Sequence, residues 1–212
     1  MEIRSILNEN FFKIKDEDTQ DTFYGCHQAW YTTKWQRLAG CGPTVVSNIV
    51  HYLNCKRSDS GTTNLPLTKS EALSLMEEVY QYVTPTLRGI PTTKLLYDDV
   101  LDYAKARALN MSLEILDVPK KRELRPLFRH LIAFLDKALS KDTPIAFLNL
   151  DNGAEKGLDS WHWVTIISLE YAADENTAII RILDEGMIKK VDLALWFETT
   201  KLGGGFVSIE VD

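Results

Sequence analysis

The chain has 212 residues, 45% of them hydrophobic, enough apolar material to bury a sizeable core in a single domain. Its formal net charge is −6 and no Lys/Arg cluster is interleaved with aromatics, so the footprint of a nucleic-acid or anionic-membrane binder is missing. No apolar run approaches the ~20 residues needed to span a bilayer.

The N-terminus, Met1 to Asn8, lacks an apolar core followed by a small-residue cleavage site, so export by the general secretory route is not expected. The cysteines, Cys26, Cys41 and Cys55, are odd in number and spaced 15 and 14 apart. That spacing makes neither a disulfide framework nor a Cys-x-x-Cys metal knuckle. Free thiols in a reducing, cytoplasmic setting are the expectation, with no metal and no cofactor.

Residues 1–24 read as an N-terminal arm or loop expected to pack across the main body: an apolar patch at Phe11-Phe12, then an acidic run from Asp16 to Asp21. Residues 25–212 read as one domain, helical over about 41–140 and sheet-forming over about 144–211. An aromatic-rich approach, Gly25 to Tyr31 and then Trp35-Gln36-Arg37, precedes the stretch Gly40-Cys41-Gly42-Pro43-Thr44. After Pro43 the residues Val45, Val46, Ile49, Val50 and Leu53 recur at helical spacing, which predicts a buried helix. Pro43 suits the first turn, and Gly42 is expected to let the backbone turn into the helix. Cys41 then sits at or just before the helix N-terminus, where unpaired N–H groups favour a thiolate.

A polar loop is expected from Lys56 to Pro66. Thr68 and Glu71 form a capping box opening a helix to about Val83, and Thr92 or Thr93 caps another to about Leu109. Met111 to Val118 reads as a strand and Glu123 to Ser140 as a long amphipathic helix whose first turn alone suits Pro126. Strands follow at Pro144–Leu150, Trp163–Tyr171, Thr177–Leu183, Lys189–Val191 and Phe206–Val211, with a turn at Ala173–Asn176 and a short helix at Leu193–Glu198. Helices first and an antiparallel meander afterwards indicate an α+β fold.

A cysteine on an apolar helix is more often a small core residue than a nucleophile. The reading of Cys41 therefore depends on partners. His162 stands in Ser160-Trp161-His162-Trp163, at a loop-to-strand junction where a strand can hold an imidazole rigidly toward a cleft. The next strand of the hairpin ends in Leu183-Asp184. In an antiparallel pair the start of one strand lies beside the end of the next, so Asp184 can accept from His162 and fix its tautomer. His51 lies roughly 15 Å from Cys41 along the helix axis, too far for proton transfer. His27 has no evident partner and His130 reads as solvated. Cys26, with no helix start behind it, ranks below Cys41.

These motifs, with Ile182-Leu183-Asp184, resemble the papain-like cysteine peptidases, nearest to stand-alone relatives of the bacterial peptidases that remove double-glycine leaders from bacteriocins. The resemblance implies a nucleophile helix packed on an antiparallel sheet, with Cys41 as nucleophile, His162 as general base and acid, and Asp184 as its orienter. It also implies Gln36 as an oxyanion-hole residue, with Gln28 as the second candidate. Gln36 stands five residues before Cys41 where the family usually has six, and Asp184 is followed by Glu-Gly where many relatives have Pro. No transporter segment is attached, and a double-glycine substrate does not follow. Trp35, Trp161 and Trp163, with Gly40 beside the cysteine, are candidate substrate-binding residues. The expected activity is hydrolysis of a peptide or amide bond through an acyl-enzyme. Acyl transfer through the same residues and a non-catalytic peptide-binding module are the alternatives.

Overall fold

Strands rich in Ile, Val and Phe near the C-terminus build the sheet that organises the molecule. The computed structural model describes residues 1–58, 66–172 and 177–211. The N-terminal segment supplies β1 (Glu2–Ser5), β2 (Lys13–Lys15) and β3 (Thr22–Tyr24), followed by α1 (Lys34–Ala39) and α2 (Cys41–Ser58). Next come β4 (Leu67–Thr68), α3 (Lys69–Tyr80), α4 (Thr93–Ala106), β5 (Met111–Val118) and α5 (Phe128–Ser140). The rest is β6 (Ile145–Asn149), β7 (His162–Tyr171), β8 (Ala178–Asp184), β9 (Met187–Asp192), α6 (Leu193–Thr199) and β10 (Gly204–Val211).

The main sheet runs β5-β10-β6-β7-β8-β9, each neighbouring pair antiparallel. Its strands read as nearly continuous apolar runs because both faces are covered. On β6, Ala146 and Leu148 face the core built by α2, α3 and α4, while Ile145 and Phe147 face the core beneath α5 and α6. Along β7, Trp163 points to the α2 side and Val164 and Ile166 to the other. A bulge between Ile166 and Ser168 then keeps Ile167 and Leu169 on the α5 side too. The α+β class is as expected, with α2 starting at Cys41 and lying on the sheet.

Four details differ from the sequence reading. The N-terminal segment is woven into the body. β1 pairs with β7, β2 pairs with β3 and β4 in a small second sheet, and Phe11 and Phe12 bury against Tyr52. α5 begins at Phe128 instead of near residue 123, because Pro126 disfavours helical geometry in the residue before it and a separate turn forms at Arg122–Leu124. α2 continues through Ser58 into the expected loop; the rest of that loop, 59–65, lies outside the described residues, as does the turn at 173–176.

The fourth difference concerns Gly40 and Gly42. A short helix, α1, runs directly into α2, with Gly40 as the joint. Gly42 is already helical and makes no sharp turn; a Cβ there would come within 2.6 Å of the Ile90 side chain. Both glycines serve close packing. At Gly40 a Cβ would meet the Gln36 carbonyl oxygen at 2.4 Å and the Tyr31 ring at 2.7 Å.

Because backbone cannot move aside as a flexible side chain can, Gly40→Ala is expected to cost about 1–3 kcal/mol of stability. The readout is the urea midpoint at constant slope. An unchanged midpoint would show that the joint tolerates a side chain.

Candidate active site

α2 lays its first turn beside the first residue of β7, bringing Cys41 to His162. The side chain of Asn149, opposite His162 in the β6–β7 register, donates to the Asp159 carbonyl at 2.8 Å and ties down the loop leading into β7. Asp184, the last residue of β8, reaches across the hairpin end. His162 Nε2 and Asp184 Oδ1 are 2.8 Å apart. That leaves Nδ1 as the ring nitrogen open toward the cavity that Cys41 also lines.

Burial works against a charged His162, but the hydrogen bond to Asp184 and the nearby Cys41 thiol outweigh it and raise its pKa to about 10. Burial likewise opposes ionisation of Asp184, yet donation from His162 and Lys189 holds its carboxyl below the usual range. Cys26, by contrast, is fully buried and its thiol is pushed up to about 12, which keeps it neutral. Cys55 sits on the far end of α2 against His51.

Two depressions meet at Cys41. The first, of about 210 Å³, contains Cys41, His162 and Asp184 with His27, Gln28 and Glu185. The second, about 220 Å³, also borders Cys41 and is mainly apolar, lined by Trp35, Leu38, Leu87, Ile90 and Trp161 over a floor of Trp163. Trp161 is 56% exposed and has φ of 59°, a left-handed conformation that costs a bulky side chain roughly 1–2 kcal/mol. Trp163 is buried, and its indole donates to the Ile90 carbonyl at 2.8 Å.

Gln36 is placed differently from the position that the resemblance implies. Its Oε1 accepts from the Thr33 backbone N–H at 3.0 Å, closing the capping box of α1, and its Nε2 donates to Glu77 Oε2 at 2.5 Å. The amide is engaged by the cap of α1 and by Glu77 of α3, and it does not line the cavity of Cys41 and His162. Gln28 does line it, donating to the Arg37 carbonyl at 2.8 Å.

His27, set aside in the sequence, also lines this cavity, and burial lowers its pKa. Lys189 and Asn48 were not singled out. Asn48 accepts from the Cys26 backbone N–H at 2.7 Å and donates to Thr165 at 3.2 Å, fixing the Cys26 wall to the sheet. No helix among the described residues is long and apolar enough to cross a membrane, and no described group of three or more His, Cys, Asp or Glu could hold a metal ion.

The architecture is papain-like. The crystal structure of UfSP from C. elegans superposes with a TM-score of 0.56 at 11% identity, covering 100% of this chain and 34% of that one. The chain thus spans about a third of that protein's length, and the likeness is one of fold. No family model and no curated protein matches the sequence.

The raised pKa of His162 has a consequence for stability. A histidine whose folded value exceeds its unfolded 6.5 contributes fully below pH 6.5 and loses that contribution as pH rises toward 10. The stability advantage of the native protein over His162→Gln, from urea unfolding, should therefore be largest below pH 6.5 and shrink toward pH 10. A flat difference would mean that the imidazolium is not favoured by its surroundings.

Proposed function

We propose that this protein is a thiol-dependent hydrolase that cleaves a peptide or amide bond through a Cys41 acyl-enzyme. The carrying observation is that Cys41, His162 and Asp184, from three separate elements, converge in one cavity with the His162–Asp184 bond at 2.8 Å.

In this reading His162 takes the Cys41 proton and the resulting thiolate, at the start of α2, attacks the carbonyl carbon. The tetrahedral oxyanion is met by the Cys41 backbone N–H and by the Gln28 N–H that is not given to the Arg37 carbonyl, at ~3 kcal/mol per donor. Gln28 replaces Gln36 in that role because its side chain borders the cavity. His162 then delivers its proton to the departing amine, leaving a thioester. Water, deprotonated by His162, attacks the thioester and releases the acid and the free thiol. Asp184 keeps the ring in the required tautomer throughout. The apolar depression, with Trp35 and Trp161 as walls and Trp163 as floor, receives an apolar side chain of the peptide; Gly40 borders neither depression, and its part is to let α1 run into α2 beside the sulfur.

A thiol-directed acyl probe tests the chemistry. Cys41→Ala should abolish labelling, His162→Ala should slow it about 100-fold, and Cys26→Ala and Cys55→Ala should leave it intact. Equal labelling of Cys41 and Cys55 in the native protein would remove the case for an activated thiol.

The strained Trp161 gives a second test. Trp161→Gly relieves the left-handed backbone and should gain up to about 1 kcal/mol of stability. At the same time it should slow acylation by probes carrying a bulky apolar residue more than by glycyl probes. An equal effect on both probes would count against the apolar subsite.

A further inference from the structure

Lys189 has no place in the three-residue mechanism, yet it touches the site. The β8–β9 turn is two residues, Glu185 and Gly186, with φ of 52° and 74°. Positive φ at both positions is the pattern that folds one strand straight back on its partner. The register sets Lys189 opposite Ile182, so it is diagonal to Asp184 on the same face. From there Nζ donates to Asp184 Oδ2 at 2.7 Å and to Glu185 Oε2 at 3.0 Å.

Asp184 therefore gives one oxygen to His162 and the other to Lys189. Its side chain is only 4% exposed, so water has little access to either oxygen. A surface ion pair would contribute little, but this one is anchored on a nearly buried carboxylate.

We propose that Lys189 is a positioning residue of the site, whose ammonium fixes the Asp184 carboxylate and draws off part of its charge, so that His162 binds its proton less tightly than beside an unshared aspartate. The proposal rests on the reading of His162 as the group that both takes and returns a proton. An imidazole held too firmly protonated would be a poor acid toward the leaving amine. The charged and titratable groups facing this cluster are Cys41 from α2, Asp184 and Glu185 at the end of β8, His27 and the neutral Cys26 across the cavity, and Arg37 of α1, whose guanidinium is tied to the Tyr31 and Thr32 carbonyls. Glu185 acts in the same direction. Removing Lys189 frees its negative charge as well as that of Asp184.

The experiment is an NMR titration of histidine-labelled full chain carrying Cys41→Ala, which removes the thiol from the titration. The chain has four histidines, and His162 is assigned by its loss in His162→Gln. Lys189→Met and Lys189→Gln should each raise the His162 pKa by about one unit, since a cation acting through a shared carboxylate is withdrawn. Lys189→Arg should keep the parent value. An unchanged titration in folded Met and Gln variants, or the same upward shift in the Arg variant, overturns the proposal. If Lys189→Met does not fold, Lys189→Gln, which retains an N–H donor, decides alone. Because the nucleophile is absent from this measurement, its outcome is separate from acyl-probe labelling. A protein whose Cys41 never labels but whose His162 shifts would sink the hydrolase and leave the coupling.

Discussion

Everything in this molecule turns on how the first turn of α2 is seated against the first residue of β7. A sulfur at a helix start has to meet an imidazole at a strand start, and neither element sets that distance alone. The contact is held by burial on both sides. α2 drives Val45, Val46, Ile49 and Val50 into the same core as Ala146, Leu148, Trp163 and Val207 of the sheet. Close packing of this kind resists small displacements, because interiors lack the free volume to absorb them. The glycines around Cys41 belong to the same constraint. Side chains at Gly40 or Gly42 would push against Gln36, Tyr31 or Ile90, next to the residue that carries the sulfur.

Charge at the site follows from that seating. His162 and Asp184 are both largely removed from water, which alone would favour their neutral forms. Each is instead paired: the ring with Asp184, the carboxylate with the ring and Lys189. The chain is acidic as a whole, at −6, yet the described site balances carboxylates with an imidazole and an ammonium. The two depressions meeting at Cys41 differ in character, one carrying the polar groups and the other indole and aliphatic walls. A substrate lying across both would be oriented by that asymmetry.

The candidate site was partly legible in the chain. Cys41 could be found because a Gly-Cys-Gly-Pro start followed by a helical apolar stripe places it at a helix terminus. His162 and Asp184 could be paired because the ends of a hairpin meet whatever its exact length. Gln36 misleads for a local reason. Thr33 and Gln36 spell a capping box at i and i+3, and the structure uses the glutamine for that purpose. Lys189 was illegible because its partner is chosen by a two-residue turn and a diagonal register, and a one-residue slip would turn it to the other face. The N-terminal segment, mixed in composition and short of periodicity, gave no sign that it would add β1 to the main sheet.

Local chemistry thus determined which residues cap, bury and turn, since periodicity, capping and strand alternation act between near neighbours along the chain. It set the α+β order, the helix that begins at Cys41 and the hairpin that joins His162 to Asp184. The tertiary structure decided which glutamine faces the cavity, which lysine shares the aspartate and which rings wall the apolar side. Those choices depend on contacts between residues far apart in sequence, where a shift of a single register or turn residue changes the partner.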